Sequence, residues 1–528
     1  MRNGATTFIA HKAGLSQSMS GPALVVLLVA GLLLAALVSL YNPALAFVGV
    51  LALTMLLLGL REPQWAAVVL VSSLAVVPVE LSQNTLFGHN IENPLQILVP
   101  LTLVVALLSA LKDREMPTLI VPDLLIVGLV MWGLLSLANA GQMPFDSYWK
   151  KYGNKLIFPL GFYVIVRLLS LDHRGIMQII RISVILVVIQ AFLIIVQAKT
   201  GMTVLYGDLH GGYPTGPFAY FWTAAAFLAM WPPLIILATS RARSRTGWAL
   251  GFLALLITAY AITRTGQRGA TFLLLLEAPL CLLAPSMRKT ALAAIAVGAM
   301  LYIPWSMTGS GGDLLSRFDE TDESRVAYRT VALEMVRSDR WDPIFGVGPY
   351  ISPREMRGMQ IETGAQQFLM HGRKVLDVSE IAESGHALHN VYLSLLVEFG
   401  SVGAFLAGLA WIWLTVSAIR LYLNPAADRA LLIGVMGALI GWGGIGYIHN
   451  IYSFAAPMAL FFFFYGLVVG KQQAFFERDV ERAQGRRTEP PVLLRHTGSG
   501  SPPKLTRRVV IPRMSAFSSA NGSPAGDT

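Results

Sequence analysis

PALVVLLVAGLLLAALVSL, residues 22–40, holds no charged side chain and is apolar around its whole circumference. As a helix it would run roughly 28 Å, close to the hydrocarbon thickness of a bilayer. A helix on a soluble domain would show a polar side, and a membrane β-strand would alternate polar with apolar. Neither pattern is present, so the stretch reads as a membrane-spanning helix. Comparable runs lie at 44–60, 65–79, 95–111, 118–138, 156–170, 177–197, 217–238, 247–263, 270–284, 290–306, 390–418, 430–448 and 452–470. The expected fold class is therefore all-α, a polytopic transmembrane helix bundle of 12 to 14 spans. The lower count allows for the short 15-residue runs that begin at 65, 156 and 270.

The whole chain of 528 residues agrees, with 55% hydrophobic and 13% charged residues and a mean hydropathy of +0.59. A soluble chain needs about 25% charged residues to cover its exterior in water. The single cysteine, Cys281, lies inside an apolar run and excludes an intrachain disulfide framework or a cysteine-rich metal site. The formal net charge of +10 gathers in short loops and a tail beside apolar spans. That is the pattern of membrane orientation, and no nucleic-acid partner is expected.

Orientation follows from the basic residues. With the amino terminus inside, the inner loops and adjoining span ends hold Arg61, Lys112, Arg114, Arg167, Arg174, Arg241, Arg243, Arg245, Arg288, Lys289, Arg420 and Arg429. The segment from 471 carries ten basic against five acidic residues, which puts the second terminus inside as well. The expected organisation is a cytoplasmic segment 1–21, with no cleaved signal, and eleven spans over 22–306. A long outer loop 307–388, three further spans over 389–470 and a disordered cytoplasmic tail 471–528 complete it.

Six basic residues fall on the outer side against this bias: Lys150, Lys151 and Lys155 in SYWKKYGNK, Lys199, and Arg264 and Arg268 in TRTGQRG. Two readings are open, an outward site for an anion such as a phosphate-bearing lipid, and headgroup snorkelling. The lysines fit the second. Arg264 and Arg268 sit in a tight turn between two spans, at the mouth of the bundle, and Arg268 is the stronger candidate for a functional role.

The outer loop contains DESRVAYRTVALEMV, which places Tyr328, Val331, Ala332, Met335 and Val336 on one helical face, with Arg325 and Arg329 a turn apart beside it. An amphipathic helix is expected here. The following WDPIFGVGPY, 341–350, has the proline and glycines for tight turns and close approach to a ligand, although GVG alone is no phosphate-binding motif. Residues 351–385 read as polar, irregular loop, with a lid or acceptor-binding surface as the other reading. His386 and His389 lie three apart at the start of a span, without the further ligands of a hydrolase metal site. A neutral His389 suits proton acceptance or acceptor positioning, and a capping or interfacial histidine is the plain alternative. Asn390 either holds substrate or caps the helix. Inside spans, Asp123, Arg181, Glu277 and Glu398 need partners, and structural pairing is expected of Glu277. Asp208 and His210 precede the outer entrance YPTGPFAYFW and read as solvent-exposed or substrate-contacting.

Three passages in this order, TGQRGATFLLLL, SRVAYRTVALEMVRSDRWDPIFGVGPY and HALHNVYLSLLVEFGSVGAFL, resemble the O-antigen ligase and O-antigen polymerase superfamily of bacterial envelope proteins. The resemblance covers roughly 210–420. It implies transfer of a glycan from an undecaprenyl-diphosphate carrier at the periplasmic face of the inner membrane, without metal or other cofactor, so the outer loop becomes periplasmic. It implies catalytic roles for His389, Arg268 and Arg325. Substrate-binding roles fall to Arg264, Arg329, Lys150, Lys151, His210, His386, Asn390 and Tyr392. Where the family commonly has an arginine, this chain reads DLHGGYPTGPF, and His210 or a lysine of 150–155 is the candidate replacement. Expected partners are the lipid-linked glycan, an acceptor glycan lipid or lipid A-core, membrane lipids and polysaccharide assembly proteins. Polymerisation of repeat units is the leading reading, ligation to lipid A-core or protein the second, and solute or polysaccharide transport the third.

Overall fold

A computed structural model describes residues 43–75, 85–86, 89–90, 94–113, 116–139, 152–202, 209, 212–218, 220–306, 329, 332–333, 335–337, 341–350, 368–370, 374–376, 390–449 and 454–483. The helices are α1 Pro43–Arg61, α2 Pro63–Ser73, α3 Leu95–Asp113, α4 Val121–Leu135, α5 Phe158–Leu169, α6 His173–Thr200, α7 Phe221–Ala229 and α8 Pro232–Ser240. They continue with α9 Arg245–Arg264, α10 Arg268–Leu280, α11 Arg288–Ser306, α12 Val391–Leu423, α13 Arg429–Ile448 and α14 Ala455–Ala483. Two small antiparallel pairs, Thr85–Leu86 with His89–Asn90 and Phe368–Met370 with Lys374–Leu376, are the strands among the described residues. The second pair lies in the stretch that the sequence leaves as irregular loop. The chain divides into two units, 1–476 and 477–528, and of the second the described residues 477–483 are helical.

Seven helical segments among the described residues are long and apolar enough to cross a membrane: Leu95–Lys112, His173–Thr200, Phe221–Ser240, Arg245–Arg264, Val391–Leu423, Arg429–Ile448 and Ala455–Phe475. The chain is a polytopic helical membrane protein, and this corrects the expected 12 to 14 spans. The first apolar run, 22–40, lies outside the described residues. Others close into helices shorter than their apolar runs: α2 has 11 residues, α5 has 12, α10 has 13 and α4 has 15. Helices of that length reach about 17–23 Å and do not cross a bilayer unaided. Apolar run length could not separate them from full spans, because a short buried helix has the same composition.

Local chemistry sets the helix ends. Asp172 accepts from the Gly175 N–H at 2.6 Å, Ser244 from Gly247 at 3.0 Å, and Asp428 from Leu431 at 3.1 Å, each supplying an acceptor for a first-turn donor. Pro232 and Pro233 lack the N–H groups that would continue α7, so the span Phe221–Ser240 breaks at Met230–Trp231. The glycines of α13 let it approach that broken span: a Cβ on Gly437 would lie 2.6 Å from the Pro233 ring. Large side chains fill the remaining interior, with Trp231, Phe227, Phe462, Phe463, Phe464 and Tyr465 fully buried.

The two ends of the bundle differ. At one end Arg167 donates to both carboxylate oxygens of Asp123 at 3.0 Å, and Arg241 and His173 meet Asp428. Helix direction places Arg264, Arg268, Asn390 and Ile448 at the other.

Candidate functional site

The site is built on the end of α13. Its last residue is Ile448, and its final carbonyls and side chains reach three segments that are far apart in the chain. Asn390 caps α12: its Oδ1 accepts from the Tyr392 and Leu393 N–H groups at 2.9 and 3.0 Å. Its amide then donates to the Tyr447 carbonyl at 3.0 Å. Asn390 is buried, and capping together with this bond uses both ends of its side chain. The Tyr392 hydroxyl donates to the Gly443 carbonyl at 3.1 Å, one turn further down α13. Arg329 donates to the Tyr447 hydroxyl, with its guanidinium 5.4 Å from the centre of the ring.

The third segment is the turn between α9 and α10. Arg264 ends α9 and is exposed, and Arg268 opens α10 and is half-buried. Between them Gly266 adopts φ 72°, and a Cβ there would lie 3.0 Å from Tyr213 Cζ and nearer still to other ring atoms. Gln267, at the capping position, does not cap α10 with its side chain. Its Oε1 lies 2.6 Å from His449 Nε2 instead. Residues 447–449 therefore hold Arg329, Asn390 and the residue before Arg268 within three consecutive positions.

Of the residues expected from sequence, the structure gathers Arg268, Arg329, Asn390 and Tyr392 about the end of α13, with Arg264 in the same turn as Arg268. His389, His386, Arg325, Lys150, Lys151 and His210 lie outside the described residues. His389 immediately precedes Asn390 in the sequence. The loop helix keeps the expected polarity where it is described, with Ala332 and Met335 buried and Arg329 and Leu333 exposed. Among the described residues no three His, Cys, Asp or Glu side chains gather as metal ligands. Gln267, Tyr447 and His449 were not singled out from sequence. A signal was present, since HNVY at 389–392 recurs as HNIY at 449–452.

WDPIFGVGPY makes the expected tight turns, with Gly346 at φ 73° and Gly348 at φ 97°, and is seated in a break of α12 at Gly400, φ 66° and ψ −173°. Val347 and Gly348 donate to the Val397 and Glu398 carbonyls at 3.0 Å, and Ser401 donates back to the Pro343 carbonyl at 2.9 Å. Trp132 and Trp341 donate their indole N–H groups to the Phe399 and Val397 carbonyls at 2.9 and 3.2 Å. Carbonyls released by the break thus regain donors, as backbone in an apolar surrounding must. Asp342 closes the turn by accepting from Ile344 and Phe345 at 2.7 and 2.9 Å. Those bonds, Phe345 foremost, hold its carboxyl below the usual carboxylate range. Glu398 accepts from the Tyr350 N–H at 2.7 Å, and Lys155, on a π-turn at Gly153–Ile157, lies 5.4 Å above the Tyr350 ring.

The intramembrane charges divide. Asp123 pairs with Arg167 and Glu398 holds the loop. Glu277, expected to be paired, is buried with no hydrogen-bond partner for either oxygen among the described residues. Its Oε1 faces Gly441, where the absent Cβ leaves room for it.

Residues 228–408, about a third of the chain, match the family model described as O-antigen ligase. No curated protein matches the chain. The matched stretch contains Arg264, Arg268, Arg325, Arg329, His386, His389, Asn390 and Tyr392 and stops before Tyr447 and His449.

Proposed function

We propose that the chain transfers a glycan from an undecaprenyl-diphosphate carrier to a hydroxyl acceptor at the periplasmic face of the inner membrane. The observation that carries this reading is the convergence of Arg329, Asn390 and the Gln267–Arg268 turn on residues 447–449, within or beside the family match. In this reading His389, one residue before the cap of α12, accepts the proton of the acceptor hydroxyl. The hydroxyl oxygen bonds to the anomeric carbon on the face opposite the carrier, the carbon–oxygen bond to the diphosphate breaks, and configuration inverts. Negative charge grows on the departing diphosphate, where Arg268 and Arg325 interact more strongly than with the bound ground state. Arg264, Arg329, Tyr392, His386, His210, Lys150 and Lys151 contribute to binding the glycan and its carrier.

The acceptor in the leading version is a second lipid-linked glycan, so the product is a lengthening polymer. Ligation to lipid A-core is the second version and is favoured by the description of the matched family. Purified protein given lipid-linked repeat units alone distinguishes them: long polymer supports the first, and transfer only after lipid A-core is added supports the second. Arg268→Ala should lower turnover by about a hundredfold or more while membrane abundance holds, as for the loss of one transition-state charge contact. Equal turnover of the purified variant removes Arg268 from the reaction. His389→Gln should suppress transfer with folding retained.

A further inference from the structure

We propose that His449 is a positioning residue for the donor diphosphate, acting by drawing Gln267 away from the first turn of α10 and thereby fixing Arg268. This rests on the glycan-transfer reading above and extends it to a residue beyond the family match.

Gln267 occupies the position from which a side chain ordinarily caps a helix, yet its oxygen is committed to His449 Nε2 at 2.6 Å. With the proton on Nε2, the imidazole donates and the amide oxygen accepts. A longer, freer glutamine would be able to fold back over the helix start, where the positive end of the helix dipole lies beside Arg268. His449 prevents this because it is itself held. Its N–H donates to the Ile445 carbonyl at 2.8 Å, and its ring stacks on Trp222 with 6.4 Å between centroids and 19° between planes. Trp222 is stacked in turn on Tyr220 at 4.9 Å.

The neighbouring residue completes the arrangement. Ile448 lies against Gly269, so tightly that a Cβ there would overlap its Cδ1, and the first turn of α10 is pressed directly onto the end of α13. Tyr213 closes on Gly266 from the other side. The backbone on either side of Arg268 is thus set between two fixed contacts, and the His449 bond to Gln267 is the polar one of the three. In this proposal an arginine carried on such a turn meets the leaving diphosphate with less backbone reorganisation, which is the condition under which such contacts accelerate a reaction. The same short stretch sets Asn390 through the Tyr447 carbonyl, so one helix end contacts both the Gln267–Arg268 turn and the cap of α12.

The test is a mutant cycle on the full-length protein in nanodiscs, reading transfer from a lipid-linked glycan and, separately, binding of undecaprenyl diphosphate carrying no glycan. His449→Ala should lower kcat by about ten- to a hundredfold and weaken diphosphate binding, with KM for the acceptor unchanged. His449→Gln, which keeps an N–H donor for Gln267, should recover most of the loss. In an Arg268→Ala background His449→Ala should have no further effect, because the residue acts through that arginine. Equal losses in both backgrounds, no loss, or a His449→Gln protein as impaired as the alanine variant each overturn the inference while leaving the transfer reaction standing. A wild-type protein that neither transfers glycan nor binds the diphosphate lipid overturns the reaction and this inference together.

Discussion

Gly400→Ala tests whether the break in α12 is required. The residue sits at φ 66° and ψ −173°, a region essentially reserved for glycine, and an added Cβ there costs on the order of 1–3 kcal/mol in backbone strain alone. The same Cβ would lie 2.5 Å from the Ile344 carbonyl carbon and 2.7 Å from the Gly346 nitrogen. These are backbone atoms that cannot rotate away, and overpacking adds roughly 1–3 kcal/mol. Relief requires the 342–350 turn to lift, which removes the bonds from Val347 and Gly348 to the Val397 and Glu398 carbonyls and leaves Val397 the longer bond from Trp341. A total near 2–6 kcal/mol follows from these terms. Gly408→Ala is the control within the same helix, since nothing lies within 4 Å of its added Cβ, and it should be neutral or slightly stabilising. Heating purified protein in nanodiscs and measuring the fraction still folded by size exclusion compares the two. A Gly400→Ala protein as heat-resistant as Gly408→Ala refutes the argument.

Asp123→Ala should destabilise by about 3–5 kcal/mol by leaving Arg167 as an unpaired buried cation, whereas adding Arg167→Met should restore most of the loss; a double variant worse than the single contradicts this. At the same end, burial would raise the Asp428 carboxyl, but the hydrogen bonds from Arg241 and Leu431 and the charges of Arg241 and His173 outweigh it and hold the group below its usual range. A depressed carboxylate stabilises the fold above its unfolded value of about 3.9, and the contribution is lost as pH falls through the folded value. Melting curves should therefore show stability falling below about pH 4 in the wild type, with that component missing in Asp428→Asn, which should be less stable at pH 7.

The class of fold was legible because a bilayer imposes a compositional rule on every exposed residue. The number of spans was not legible, because the same rule applies to helices that are buried without crossing. Pro63 opens α2 immediately after α1 ends, and Pro232–Pro233 divide one span in two; both are readable as punctuation, but neither states whether the pieces traverse the membrane. At the site, Arg268 was found as a violation of the charge bias, a signal created by the environment the residue must occupy. Asn390 was found as a cap-or-ligand ambiguity, and the structure gives it the capping role together with a contact to α13. Tyr447 and His449 escaped because an uncharged polar pair at a span end violates nothing. Glu277 shows the converse failure. A carboxyl in an apolar run demands a partner by elementary electrostatics, yet none is present among the described residues.

The glycines of GVG illustrate why a motif read alone misleads. Close backbone approach is what such residues permit, but the approaching group is left unspecified by the sequence. Here it is the interrupted backbone of α12: a Cβ on Gly346 would lie 2.5 Å from the Gly400 nitrogen and 2.6 Å from the Val397 carbonyl oxygen. Gly346 and Gly400 are therefore one device made of two residues from different passages of the matched stretch. A helix interrupted in an apolar surrounding needs its freed carbonyls satisfied locally, and the turn that does so also brings the Tyr350 N–H to Glu398, two turns below Asn390. The upper turns of α12, which begin at Val391 after the Asn390 cap, are thus tied to the 341–350 turn below and to α13 above. Their position is set by those two attachments instead of by the long lower part of the helix, so loosening either one should displace the Asn390 cap relative to the Gln267–Arg268 turn while leaving the rest of the bundle in place.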